Sequence, residues 1–171
     1  TSGLTNNLNA NNHNTSNRHA NNEICAAEIA AIRETCEETG IVLTIDKLQP
    51  ISHWTPPENI ATQFVTWFFM AQVDHNLPVT VDNHEIIDYL WANAQWVLDK
   101  HQAGEMAMAP PTIVTLSELA LHENCAAMSA YYTARGVFRY IPKFVNSEGT
   151  ALVSLYPGDA GFESGNPATP G

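Results

Sequence analysis

Four charged residues stand within six positions of one another: Arg33, Glu34, Glu37 and Glu38. The stretch around them, Glu23 to Leu43, reads as a helix followed by a short strand. Ala, Ile, Arg and Glu dominate residues 26–38, and all are favoured or tolerated in helices. Gly40 is placed to stop the helix, and Ile41 to Ile45 is the strand expected after it. Spacings of three and four put Glu34, Glu37 and Glu38 on one side of that helix. Three crowded carboxylates repel one another. A hard cation such as Mg²⁺ or Mn²⁺, which prefers oxygen ligands, would give the cluster a purpose. The alternative is a solvated acidic face.

The pattern is more specific than an acidic face. Arg33-Glu34-x-x-Glu37-Glu38-x-Gly40-Ile41 resembles the second half of the Nudix box, Gly-x5-Glu-x7-Arg-Glu-U-x-Glu-Glu-x-Gly-U, where U is bulky and apolar. Thr35 stands where the box has U. In the first half, Cys25 occupies the place of the expected Glu, and no Gly-Gly precedes it. Ala31 to Gly40 is similar to the branch of the family with a long insertion in the box, which includes coenzyme-A diphosphatase-like proteins. Further along, HWTPP at His53 to Pro57 and QFVTWFF at Gln63 to Phe69 resemble the same branch, with Gln63 and Val65 in place of its usual Arg and Asp. The resemblance covers residues 31–160, ending with Leu155 to Asp159.

That resemblance implies a mixed α/β fold, an α/β/α sandwich with a mixed sheet, here lacking its N-terminal strands. It implies a metal-dependent hydrolase that cleaves the diphosphate of a nucleoside diphosphate linked to another moiety, coenzyme A among the candidates. Glu34, Glu37 and Glu38 are then the ligands of Mg²⁺ or Mn²⁺, and Arg33 orients them. Glu85 is the candidate for an extra ligand or general base. The catalytic set is thus Arg33, Glu34, Glu37, Glu38 and Glu85. Cys25, the absent Gly-Gly, Gln63 and Val65 keep a second reading open: a catalytically impaired Nudix-like domain that binds a nucleotide or a protein.

Composition sets the bounds. A chain of 171 residues with 44% apolar content can build a proper core. The net charge of −11, with only 7 Lys plus Arg, argues against nucleic acid or an anionic membrane as partner. The expected partner is a small nucleotide derivative, and the resemblance leaves a homodimer open. Cys25, Cys36 and Cys125 form no CxxC pair, so reduced thiols in a cytoplasmic compartment are expected. No apolar run is long enough for a transmembrane helix, and no signal peptide is visible. The chain starts at Thr1 without Met, and an upstream segment is expected.

The remaining elements serve to hold those carboxylates. Residues 1–22 contain nine Asn and almost nothing apolar, and are expected to be disordered. His13 and His19 belong to that segment as linker residues. A Nudix-like domain is expected over 23–162, with a polar tail over 163–171. The helix should bury Ile24, Ala27, Ala31, Ile32 and Cys36. Strands are expected over Leu48 to Pro57, over Phe64 to Val73 and from Glu85 to Trp91. Helices are expected over Ala94 to Gln102, Thr112 to Leu121 and Asn124 to Ala134. Arg135 to Val145 and Thr150 to Tyr156 should form a terminal strand pair.

Overall fold

The structure, a computed structural model, describes residues 7–56, 65–74, 76–82, 84–146 and 152–167; for residues 7–21, 146 and 152 it describes the backbone alone. In chain order the elements are α1 (Asn7–Thr39), a 3-10 turn (Ile45–Lys47), β1 (Gln49–Trp54), β2 (Thr66–Met70), α2 (Ala94–Gln102), α3 (Pro110–Ala120), α4 (Cys125–Arg135), β3 (Phe138–Tyr140), β4 (Lys143–Asn146) and β5 (Leu152–Leu155). The class is mixed α/β, and the larger sheet is mixed, as expected. The chain divides into two compact units. One takes Thr1–Leu48 and Ala71–Leu90; the other takes Gln49–Met70 and Trp91–Gly171.

In the first unit, α1 begins at Asn7 and not at Glu23. The Asn-rich stretch expected to be disordered is therefore helical from Asn7 onward. Once a helix is nucleated, each added residue fixes one conformation for one hydrogen bond, so even poor formers can extend it. Ile24, Ala27, Ala31 and Ile32 are half-buried, but Cys36 is exposed. Two expected strands are absent. Ile41 to Ile45 runs without secondary structure into the 3-10 turn, and Val42 is 78% exposed. Glu85 to Trp91 is likewise irregular, with Ile87 80% exposed. A β-branched run becomes a strand only where a neighbour offers a ladder, and neither segment has one among the described residues.

The second unit is built on a three-stranded sheet in the order β2-β1-β3. β1 pairs antiparallel with β2 and parallel with β3. As the central strand it is buried on both faces: Ile51, Ser52, His53 and Trp54 are all inaccessible. Pro50 faces Phe69 and Ser52 faces Phe68, so Ile51 is an extra residue, a β-bulge. Trp54 stacks on Tyr140 at 4.1 Å between ring centroids, and His53 meets the edge of Trp67 at 4.6 Å. Trp54 is therefore core, and its indole N–H donates to the Ser52 hydroxyl (3.2 Å).

The helices of this unit start where their caps dictate. The Asn93 side chain accepts from the Gln95 amide (2.8 Å) and the Asn124 side chain from the Ala127 amide (2.9 Å). Pro110 and Pro111 open α3, where a missing N–H leaves nothing unsatisfied. Gly136 ends α4 with φ 71°. The expected terminal pair is split. Arg135 belongs to α4, β3 joins the central sheet, and only Lys143–Asn146 pairs with Leu152–Leu155. Pro142 lies between the two short strands, and a residue with no N–H suits that break.

Glu118 of α3 ties these pieces together. Its carboxylate accepts from the Tyr132 hydroxyl (3.1 Å), the Tyr140 hydroxyl (2.9 Å) and Arg135 Nη1 (2.5 Å). Arg135 Nη2 donates to the carbonyl of Ile51 (2.7 Å). The guanidinium also lies over the Tyr132 ring, 4.8 Å from its centroid. Two helices and one strand thus meet at one carboxylate, and Arg135 links it to a second strand, β1.

Candidate active site

The site is built on the last two turns of α1. Its end is well defined. Gly40 has φ 72°, the left-handed conformation that side chains disfavour, and its N–H closes on the Cys36 carbonyl (3.0 Å). The Thr39 hydroxyl accepts from the Ile41 amide (3.2 Å). The Thr80 amide donates to the Thr39 carbonyl (2.9 Å), so the segment of residues 76–82 is pinned to the helix end. A Cβ on Gly40 would lie 3.6 Å from the Thr80 Cβ, which is ordinary contact. Conformation and not space requires this glycine. Gly40→Ala should therefore lower stability by about 1–2 kcal/mol, the strain of one left-handed residue. Chemical denaturation checks this; an unchanged midpoint would contradict it.

Arg33 forks between two of the glutamates. Its Nη1 donates to Glu37 Oε2 (2.5 Å) and its Nη2 to Glu34 Oε1 (3.0 Å). All three side chains are more than half exposed. Exposed ion pairs are worth roughly 0–1 kcal/mol each. The fork therefore adds little to stability; what it does is bring two of the carboxylates to one guanidinium.

Arg33, Glu34, Glu37 and Glu38 line one concavity of about 450 Å³ together with Asp82 and Glu85. All five residues expected to be catalytic are thus brought together. Five carboxylates face one guanidinium there. An anionic diphosphate would be repelled from such a surface unless a cation came with it. Oxygen donors suit Mg²⁺ or Mn²⁺, so the donor set fits a hard divalent ion. Among the described residues no three His, Cys, Asp or Glu side chains converge closely enough to coordinate one. Like-charged carboxylates do not close up by themselves, and exposed side chains rotate readily.

Asp82 is the member that sequence reasoning missed. Its Oδ1 accepts from the amides of Ile86 (2.9 Å) and His84 (3.1 Å), and its Oδ2 from the amide of Glu85 (3.2 Å). Those amides, Ile86's foremost, hold its carboxyl below the usual carboxylate range. The spacing Asp-x-x-Glu was the available signal, because a short acidic side chain can cap the amide three residues on. His84 is exposed. Of the departures noted in the sequence, Cys25 is exposed on α1 and Val65 is exposed; Gln63 lies outside the described residues.

The site is thus an arginine-clamped set of glutamates at a helix end in a mixed α/β chain. The comparison with known families is more definite. The description "NUDIX domain" matches residues 23–111, more than half of the chain, and the chain belongs to the Nudix family. Two curated proteins are similar. Acyl-coenzyme A diphosphatase NUDT19 of Gallus gallus is 25% identical over 138 residues, which are 76% of this chain and 36% of that protein. Putative nudix hydrolase 7 of Caenorhabditis elegans is 22% identical over 134 residues, 78% of this chain and 45% of that protein. The chain thus spans less than half the length of these two relatives. No solved structure gives a significant match. No helix among the described residues is long and apolar enough to cross a membrane.

Proposed function

We propose that the chain is a divalent-metal-dependent diphosphatase that acts on a nucleoside diphosphate linked to another moiety, with coenzyme A derivatives as the first class to test. The observation that carries this reading is the common concavity of Arg33, Glu34, Glu37, Glu38 and Glu85, on a chain of the Nudix family. The similarity to an acyl-coenzyme A diphosphatase supports the substrate class.

Glu34, Glu37 and Glu38 would hold Mg²⁺ or Mn²⁺. When bound, the ion supplies charge neutralisation of the diphosphate and acidifies water. Arg33 keeps Glu34 and Glu37 oriented at the ends of its fork. Among the described residues the Glu85 carboxylate has no hydrogen-bond or ion partner, so it is available to take the proton of the attacking water.

The test is product release from coenzyme A, an acyl-coenzyme A, ADP-ribose, NADH and diadenosine polyphosphates, with Mg²⁺ or Mn²⁺ and with EDTA. Turnover of at least one compound is expected, with loss to background in EDTA and recovery on adding metal. Turnover that survives EDTA would remove the metal from the mechanism. A second reading, a Nudix-like domain that binds a nucleotide or protein without cleaving, is favoured by Cys25 at the place of a box glutamate. Absence of cleavage in folded protein, with a nucleotide-induced rise in melting temperature, would select it.

A further inference from the structure

We propose that Asp82 is a positioning residue that fixes the backbone carrying Glu85, and that it is neither a metal ligand nor a base itself. The inference rests on the diphosphatase reading above and assigns roles within the same site.

Two carboxylates approach the α1 glutamates from the 71–90 segment, and their bonding sets them apart. Asp82 has committed both oxygens to three backbone amides. A carboxylate offers about four lone-pair sites, so most of its accepting capacity is already spent. Glu85 has spent none of its carboxylate among the described residues, yet its amide is one of the three that Asp82 holds. The chain is thus fixed on both sides of Glu85, by the His84 amide before it and the Ile86 amide after it. Upstream, two residues before Asp82, the Thr80 amide is bonded to the end of α1. Glu85 therefore hangs from a short frame fastened at one end to the helix that carries Glu34, Glu37 and Glu38. Without Asp82, three amides in a segment that has no regular ladder would turn to water, and the frame would loosen.

The experiment compares Asp82→Ala, Asp82→Asn, Glu85→Gln and the double variant Asp82→Ala/Glu85→Gln in the full chain. Two readouts are taken: amide hydrogen exchange at His84, Glu85 and Ile86, and steady-state kinetics with Mn²⁺. Asp82→Ala should speed exchange at all three amides and lower kcat about 10- to 100-fold, the usual range for a residue that orients a reacting group from outside, with KM little changed. Asp82→Asn keeps one carbonyl oxygen. It should preserve the His84 and Ile86 bonds, expose the Glu85 amide, and give an intermediate kcat. The double variant should be no slower than Glu85→Gln alone, because Asp82 acts through Glu85. A double variant slower by the product of the two single effects would mean that Asp82 works independently and would overturn the proposal. Unchanged exchange in Asp82→Ala would overturn it as well. A wild-type chain that turns over no compound refutes the diphosphatase reading and the catalytic half of this proposal with it. The exchange readout then still separates an Asp82 that organises this loop from one that does not.

Discussion

Glu37→Gln should lower turnover by about 10²–10³-fold and leave the fold intact. The charge of Glu37 would contribute to binding the divalent ion, whose stabilisation of the reacting diphosphate is worth several kcal/mol. At 1.36 kcal/mol per tenfold, losing two or three such units gives that range. The amide keeps the size of the side chain and one acceptor oxygen for Arg33. The structural loss is confined to an ion pair whose two side chains are 56% and 59% exposed. Such a pair contributes roughly 0–1 kcal/mol, so the melting temperature should hardly move. Kinetics and a thermal melt on the same preparation separate the two effects. Unchanged turnover would sink the assignment of Glu37 as a metal ligand. A large drop in melting temperature would make it a structural residue.

Glu118→Ala should do the opposite: a large loss of stability from a residue remote in sequence from the acidic helix. Its partner Arg135 is only 17% exposed and Glu118 itself 20%. Removing one member of a buried pair costs about 3–5 kcal/mol. Residual exposure screens the pair, so about 2–4 kcal/mol is the expected loss. The hydroxyls of Tyr132 and Tyr140 lose their acceptor at the same time. Glu118→Gln retains an acceptor and should lose less. Denaturant midpoints decide this, and a loss under about 1 kcal/mol for the alanine variant would refute the role of Glu118 as a hub. The network also predicts an alkaline limit. Burial, with the neighbouring Glu118 carboxylate, pushes the Tyr132 and Tyr140 hydroxyls well above the usual tyrosine value. A raised folded-state value means that this contribution is complete below the unfolded value near 10 and is lost as pH rises beyond it.

The sequence made the helices of the second unit readable because their ends are local. α2 falls at Ala94–Gln102 as expected, since Asn93 caps it through an amide two residues away. α3 and α4 are displaced from expectation by no more than two residues. Strands were harder, because their hydrogen bonds lie elsewhere in the chain. β1 and β2 form because each supplies the other with a ladder. Ile41 to Ile45 and Glu85 to Trp91 carry the same residue types and find none among the described residues. The acidic cluster was visible as a spacing of three and four on one helix. Its completion by Glu85 followed from the family resemblance, and Asp82 went unseen because a loop aspartate looks like solvated charge until its three amides are located. The link between Glu118 and Arg135 spans 17 positions and two helices, which no periodicity encodes.

The extra residue in β1 has a consequence for how this protein can change over generations. The Arg135 side chain is plugged into the main-chain oxygen of Ile51, the residue that the bulge sets out of step with β2. Every amino acid brings the same carbonyl, so exchanges at position 51 leave that socket in place and alter only the packing around it. Loss or gain of a single codon is different. Loss would straighten the bulge and take the oxygen away from the guanidinium, whereas gain would either widen the bulge or slip the pairing with β2 by one residue, and such a slip turns side chains to the opposite faces of the sheet. Position 51 should therefore exchange among apolar residues while the strand remains almost fixed in length.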